Sequence, residues 1–105
     1  MKGVIAGMGL ALGALGPSVA AAQDAALGEA LYRDVCRNCH GPTAKGMASF
    51  PRLAGRDEAQ LATLLERYRA GETVGPNTPL MRPHAEGLSD AEIAALAHHI
   101  ATAFP

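Results

Sequence analysis

The chain has 105 residues, with nine Lys and Arg against ten Asp and Glu and a formal charge of −1. That length allows one domain and no more. No basic cluster marks a nucleic-acid surface, and a 4% aromatic content gives no stacking platform for bases.

The opening residues read as a targeting segment. Lys2 supplies a positive n-region, and Gly3 to Gly16 is an apolar run rich in Ala, Gly and Leu. Pro17-Ser18-Val19 then leads to Ala20-Ala21-Ala22, an A-x-A-like cleavage signal before Gln23. This predicts a cleaved secretory signal peptide over 1–22 and one domain over 23–105, exported to the periplasm. The competing reading is an uncleaved anchor, but the run is short and weakly flanked for a stable membrane span.

Asp24 to Cys36 predicts the first helix, with Leu27, Leu31, Tyr32 and Val35 on one apolar stripe. Asp24 stands where a carboxylate caps free amides and meets the helix dipole favourably. Gly28 is costly inside a helix, by up to about 1 kcal/mol relative to Ala. Its use there points to a close helix crossing, with Tyr32 packed beside it one turn later.

Cys36-Arg37-Asn38-Cys39-His40 has the form C-x-x-C-H, the attachment signature of a c-type haem. Two thiols three positions apart can add to both vinyl groups of one porphyrin. The imidazole that follows, His40, then lies under the iron as proximal ligand. A bare C-x-x-C also serves half a zinc site, a redox dithiol or a disulfide. Zinc would need two more ligands, and the chain has no other cysteine; its other histidines, His84, His98 and His99, are distant in sequence. No βαβ pattern accompanies the motif, as a thioredoxin-like dithiol would want. Export suits haem attachment, which takes place outside the cytoplasm. A domain this small buries little apolar surface unaided, so a porphyrin would complete its core.

Gly41 to Gly55 predicts loop, broken by Gly41-Pro42, Lys45-Gly46 and Phe50-Pro51. Pro51 is placed for its carbonyl to receive the second imidazole N–H of His40, which would fix the ring and raise its basicity; the alternative is that Pro51 only turns the loop. Asp57 to Ala70 predicts an amphipathic helix. Asp57 and Gln60 have capping-box spacing, Leu61, Leu64, Leu65 and Tyr68 share a face, and Gly71 ends the helix. Glu72 to Gly87 predicts loop again, because Pro76, Pro79 and Pro83 exclude a continuous helix over Thr73 to Pro83. Met81 lies in its middle. Ser89 opens the last helix with a second capping box to Glu92. Ile93, Leu96, Ala97 and Ile100 form its apolar face, and Phe104 closes its end.

Three motifs in this order resemble the short bacterial class I cytochromes c. They are Cys36-Arg37-Asn38-Cys39-His40-Gly41, then Phe50-Pro51-Arg52-Leu53-Ala54-Gly55, then Met81-Arg82-Pro83 followed by Leu88-Ser89-Asp90 and the final helix. The resemblance covers about residues 24 to 104. It implies an all-α, small class I cytochrome c fold, three to four helices around one covalently attached haem c. Cys36 and Cys39 would hold the porphyrin by thioether bonds, with His40 and Met81 as axial ligands and Pro51 orienting His40. Gly28 and Tyr32 match the family's first helix, which crosses the last near Leu96. One position departs: the family's aromatic one turn after that leucine is His99 here. That predicts a looser crossing, or a polar edge reaching solvent, with His98 and His99 otherwise exposed.

The sixth iron ligand has three readings. Met81 in a Pro-rich loop is one. His84, three residues later, is another and would lower the reduction potential, whereas a thioether raises it. An open position, fit for a sensor of gas or peroxide, is the third. Met47 stands too near His40 to reach the opposite face. His40 and Met81 together would leave no room for substrate, which implies single-electron transfer rather than catalysis. The expected role is a periplasmic electron carrier between a donor dehydrogenase and an acceptor oxidase or reductase. The alternative is the cytochrome subunit of a larger flavin- or molybdenum-dependent dehydrogenase, for example in sulfide or sulfite oxidation. Lys45, Arg52, Arg56 and Arg82 are the loop cations placed to meet haem propionates or an acidic partner.

Overall fold

A computed structural model describes residues 19–105, with side chains from residue 24 onward. The expected signal peptide over 1–22 therefore lies outside the described residues, apart from the backbone of 19–22. Helix α1 spans Val19–Leu31 and runs on through a π-helical turn, Tyr32–Cys36, into the short helix α2, Arg37–His40. Helices α3 (Glu58–Arg69), α4 (Thr78–Ala85) and α5 (Asp90–Ala103) follow. Among the described residues the only bridge pairing is the isolated one between Met47 and Phe50, and there is no strand. The all-α expectation therefore stands.

Helix α1 begins before Asp24, so Asp24 is an exposed residue inside the helix and caps nothing. The cause is the alanine run ahead of it, since Ala is the best helix former and carries the helix through. α1 then packs across α5. At the crossing, a Cβ built on Gly28 would lie 2.8 Å from the Ala95 carbonyl carbon and 2.9 Å from the His99 Cβ, and would collide with the Ala95 carbonyl oxygen. Only a glycine lets the two backbones come this close. Tyr32, Phe104 and His99 close round this point, with ring centroids 5.0 to 5.9 Å apart. His99 is thus half-buried and takes the aromatic's place, rather than lying exposed; His98 is exposed.

α3 and α5 are capped as their sequences dictate. Asp57 accepts from the Gln60 amide at 2.6 Å. Ser89 accepts from the Glu92 amide at 3.1 Å, and the Glu92 carboxylate accepts from the Ser89 amide at 2.8 Å. Each satisfies donors that a helix start leaves orphaned. Arg69 joins the two helices, with its guanidinium 2.7 Å from Asp90 and donating to the Leu88 carbonyl. The buried faces meet in one core that includes Tyr32, Leu61, Leu65, Ile93, Leu96 and Ile100.

The segment expected as loop over Glu72 to Gly87 contains helix α4. The correction has a local reason. Pro79 stands in the first helical turn, where its missing N–H costs nothing and its φ suits the helix. Pro83 comes only in the second turn, so the helix gives up little before it ends. The buried Thr78 Oγ1 accepts from the Val74 and Gly75 amides, both at 2.9 Å, and donates to the Gly75 carbonyl at 2.7 Å. That knot fixes where α4 starts.

Candidate functional site

One cavity of about 380 Å³ lies among all the helices. Leu61, Leu64, Leu65 and Tyr68 of α3 line one side, and Leu96 and Ile100 of α5 another. The apolar face of α3 therefore walls a cavity as well as packing a core. Into this cavity open Cys36, Cys39 and His40, from the π turn and α2, and Met81 and His84 from α4. Met81 is partly buried and packs on the core, whereas His84 is exposed.

The His40 side chain is buried, and its Nδ1 lies 2.9 Å from the Pro51 carbonyl oxygen. With Nδ1 as donor, the lone pair is left on Nε2, the atom a metal would take. The loop that delivers this carbonyl is tightly made. Gly46 donates to the His40 carbonyl at 2.8 Å, and the Ala44 carbonyl accepts from Leu53 and Ala54. A Cβ at Gly46 would lie 2.6 Å from the Phe50 carbonyl and 2.9 Å from the Arg52 amide, and φ there is +82°. Asn77 links the two halves of the site: its amide donates to the Ser49 carbonyl and hydroxyl, at 3.2 and 3.1 Å, while Asn77 itself lines the cavity. Tyr32 donates to the Gly41 carbonyl at 2.6 Å, immediately after His40.

The thiols distinguish between the chemistries open to C-x-x-C. Both are free and half-buried. Burial pushes the Cys36 thiol up to about 11, and the neighbouring Cys39 adds to the rise. A redox dithiol works by a lowered thiol pKa, so this environment opposes that use. Among the described residues no three His, Cys, Asp or Glu side chains come together as a metal-binding group, so the cysteines lack the partners of a zinc site. The donor set fits a porphyrin instead. It has two thiols at the edge of an apolar cavity, an imidazole with one nitrogen already committed, and a thioether on another wall.

Of the four loop cations expected to meet haem propionates or an acidic partner, Arg56 is the one that lines the cavity; its Nε is held by the Arg52 carbonyl at 3.0 Å, so its terminal nitrogens remain for an anionic group. Sequence reasoning missed the start of the helix that carries Met81. Asn77-Thr78-Pro79 went unread as a helix start, although a polar residue before an N-terminal proline is such a signal. Arg82 turns away to donate to the Gly71 carbonyl at 3.0 Å.

The chain matches known proteins over this same region. Residues 23–100 match the family described as cytochrome c oxidase, cbb3-type, subunit III. The chain is 38% identical over 89 residues to cytochrome c-554(547) of Halothiobacillus neapolitanus, spanning 77% of this chain and 98% of that one. It is 42% identical over 77 residues to cytochrome c-554(548) of Halomonas halodenitrificans, spanning 72% and 92%. A third similar protein is the thiosulfate dehydrogenase electron acceptor of Stutzerimonas stutzeri, 44% identical over 64 residues that span 59% of this chain and 28% of that protein.

Proposed function

As a member of the cytochrome c family described as cbb3-type oxidase subunit III, and within it of the small class I monohaem c-type cytochromes, the chain carries covalently bound haem c, and we propose that it works as a periplasmic single-electron carrier. Haem c supplies a one-electron ferric–ferrous couple. We assign Cys36 and Cys39 to its two thioether bonds, His40 to the proximal position and Met81 to the distal one. Pro51 acts through His40, its carbonyl holding Nδ1–H and so presenting Nε2. The observation that carries the reading is that Cys36, Cys39, His40 and Met81, from three elements, open into one apolar cavity. Leu61, Leu64 and Leu65 of α3 and Leu96 of α5 line it and would shield a bound porphyrin from water. Were His40 and Met81 both to hold the iron, no place would be left for substrate, so this assignment implies transfer rather than catalysis.

Optical redox titration of the holoprotein, with carbon monoxide added to the reduced form, tests this. A low-spin spectrum, a positive potential and no carbon monoxide binding are expected. Met81→Ala should keep covalent haem and lower the potential markedly. An unchanged potential and spectrum in that variant would remove Met81 as ligand. A strongly negative wild-type potential would bring His84 forward, and carbon monoxide binding the sensor reading. The name of the third relative supports a second reading, in which the donor is a sulfur-compound dehydrogenase and this chain its cytochrome subunit or acceptor. Copurification of a flavin- or molybdenum-containing subunit from the native source would decide for it.

A further inference from the structure

Asn77 stands at the start of α4, yet its side chain does not cap that helix. Asn at such a position ordinarily turns its side-chain oxygen back onto an amide of the first turn. Here the side-chain nitrogen, Nδ2, reaches across to Ser49 instead, donating to its carbonyl at 3.2 Å and its hydroxyl at 3.1 Å. A carbonyl only accepts, so this pairing fixes which end of the Asn77 amide faces Ser49. A local use of the side chain is given up for a contact 28 residues away in sequence.

That contact joins the two halves of the site. Ser49 lies two residues before Pro51, whose carbonyl oxygen is 2.9 Å from His40 Nδ1. The Asn77 carbonyl accepts from the Leu80 amide at 3.0 Å and the Met81 amide at 3.2 Å. One residue thus grips the His40 loop with its side chain and the Met81 backbone with its carbonyl. Among the described residues, no other hydrogen bond joins the Gly41 to Gly55 loop to the Glu72 to Gly87 segment. The side-chain bonds of Thr78 and Arg82 reach only Gly71, Val74 and Gly75, in the chain that leads into α4. The turn that presents Ser49 is tight. Met47 and Phe50 exchange backbone hydrogen bonds at 3.2 and 2.8 Å, and Ala48 between them takes φ +50°, which is rare for a residue with a Cβ. Such a conformation persists where its surroundings over-determine it.

We propose that Asn77 is a positioning residue: it clasps the Met81 helix to the loop that orients His40, and so holds the sixth iron position closed to outside ligands. The proposal rests on the assignment of Met81 as distal ligand. α4 has eight residues, too few to stand as a helix unaided. Without the Asn77 link, α4 and the chain before it can move together away from the loop, carrying Met81 with them.

Imidazole tests this, because its apparent affinity for the ferric holoprotein rises with the fraction of molecules whose sixth position is open. The titration is followed by absorption. Asn77→Ser keeps a residue that caps helices as well as Asn, but it is shorter and offers Ser49 no amide. It should bind imidazole about tenfold more tightly than wild type, the upper end for one lost hydrogen bond. Ser89→Ala loses a helix cap elsewhere and controls for stability alone; its affinity should match wild type. Ser49→Ala keeps the carbonyl and should fall between the two. Asn77→Ser combined with Ser49→Ala should bind no more tightly than Asn77→Ser, because both act through one contact. An unchanged affinity in Asn77→Ser, an equal gain in Ser89→Ala, or additive effects in the double variant overturns the proposal. Carbon monoxide binding by reduced wild type removes Met81 as ligand, and the clasp with it. Reduced wild type inert to carbon monoxide, with Asn77→Ser unchanged towards imidazole, removes the clasp alone.

Discussion

A methyl group at position 28 has no space to occupy, because Ala95 and His99 of α5 already stand where it would go. Gly28→Ala should therefore force the helices apart and cost about 1–3 kcal/mol, the range for overpacking. Denaturant unfolding of the holoprotein would measure it, and a stability equal to wild type would show that the crossing relaxes freely. Tyr32 stands at the same crossing, one turn beyond Gly28 on the same helical run. Its hydroxyl is held by the Gly41 carbonyl, and burial, with the Cys36 thiol adding to it, pushes its pKa up to about 12. A folded-state value raised above the ordinary 10 means that the unfolded chain loses this proton first. The stabilisation is complete below about pH 10 and is lost as pH rises towards about 12. Tyr32→Phe should cost about 1 kcal/mol at neutral pH and remove that alkaline loss, as urea midpoints across the pH range would reveal.

Helix ends carry the element-scale energetics. α5 supplies Ile93, Leu96 and Ile100 to the core, and its first turn is closed by the reciprocal Ser89–Glu92 pair. Ser89→Ala should cost about 1 kcal/mol, seen as a lower denaturant midpoint with an unchanged slope. A changed slope would mean that the helix end had unravelled rather than lost a cap. α4 shows the opposite balance. It is short and contains two prolines, and the Thr78 knot and the Asn77–Ser49 contact hold it in place. Its role is to present Met81 and Leu80 to the cavity, which needs a fixed start more than a long helix.

At the scale of the whole molecule the cavity of about 380 Å³ is where a porphyrin would complete the core, and a domain this small buries little apolar surface without one. The chain with Cys36→Ala and Cys39→Ala, unable to attach a porphyrin covalently, should lose its cooperative thermal transition. Far-UV circular dichroism would follow this, and a sharp native-like transition without bound haem would show that the protein shell stands alone.

Local signals were enough for much of this. The C-x-x-C-H pattern, the capping residues at Asp57 and Ser89, and the periodic apolar faces of α3 and α5 depend on neighbours within a few residues. So does the breaking of the chain over Gly41 to Gly55. Gly28 was legible as a crossing because a glycine inside a helix needs an outside reason. Other features required the fold. That α1 starts before Asp24 follows from competition between a cap and an alanine run. Helix α4 forms through two prolines because the buried Thr78 and distant Ser49 hold its start. His99 is drawn inward because its ring packs against both Tyr32 and Phe104, which themselves touch. The leucines of α3 read as core from their period alone, yet they wall a cavity, because a helical stripe records only which face avoids water. Whether that face meets side chains or a cofactor is decided by how far apart the helices are held, and that distance is set by contacts among residues remote in sequence.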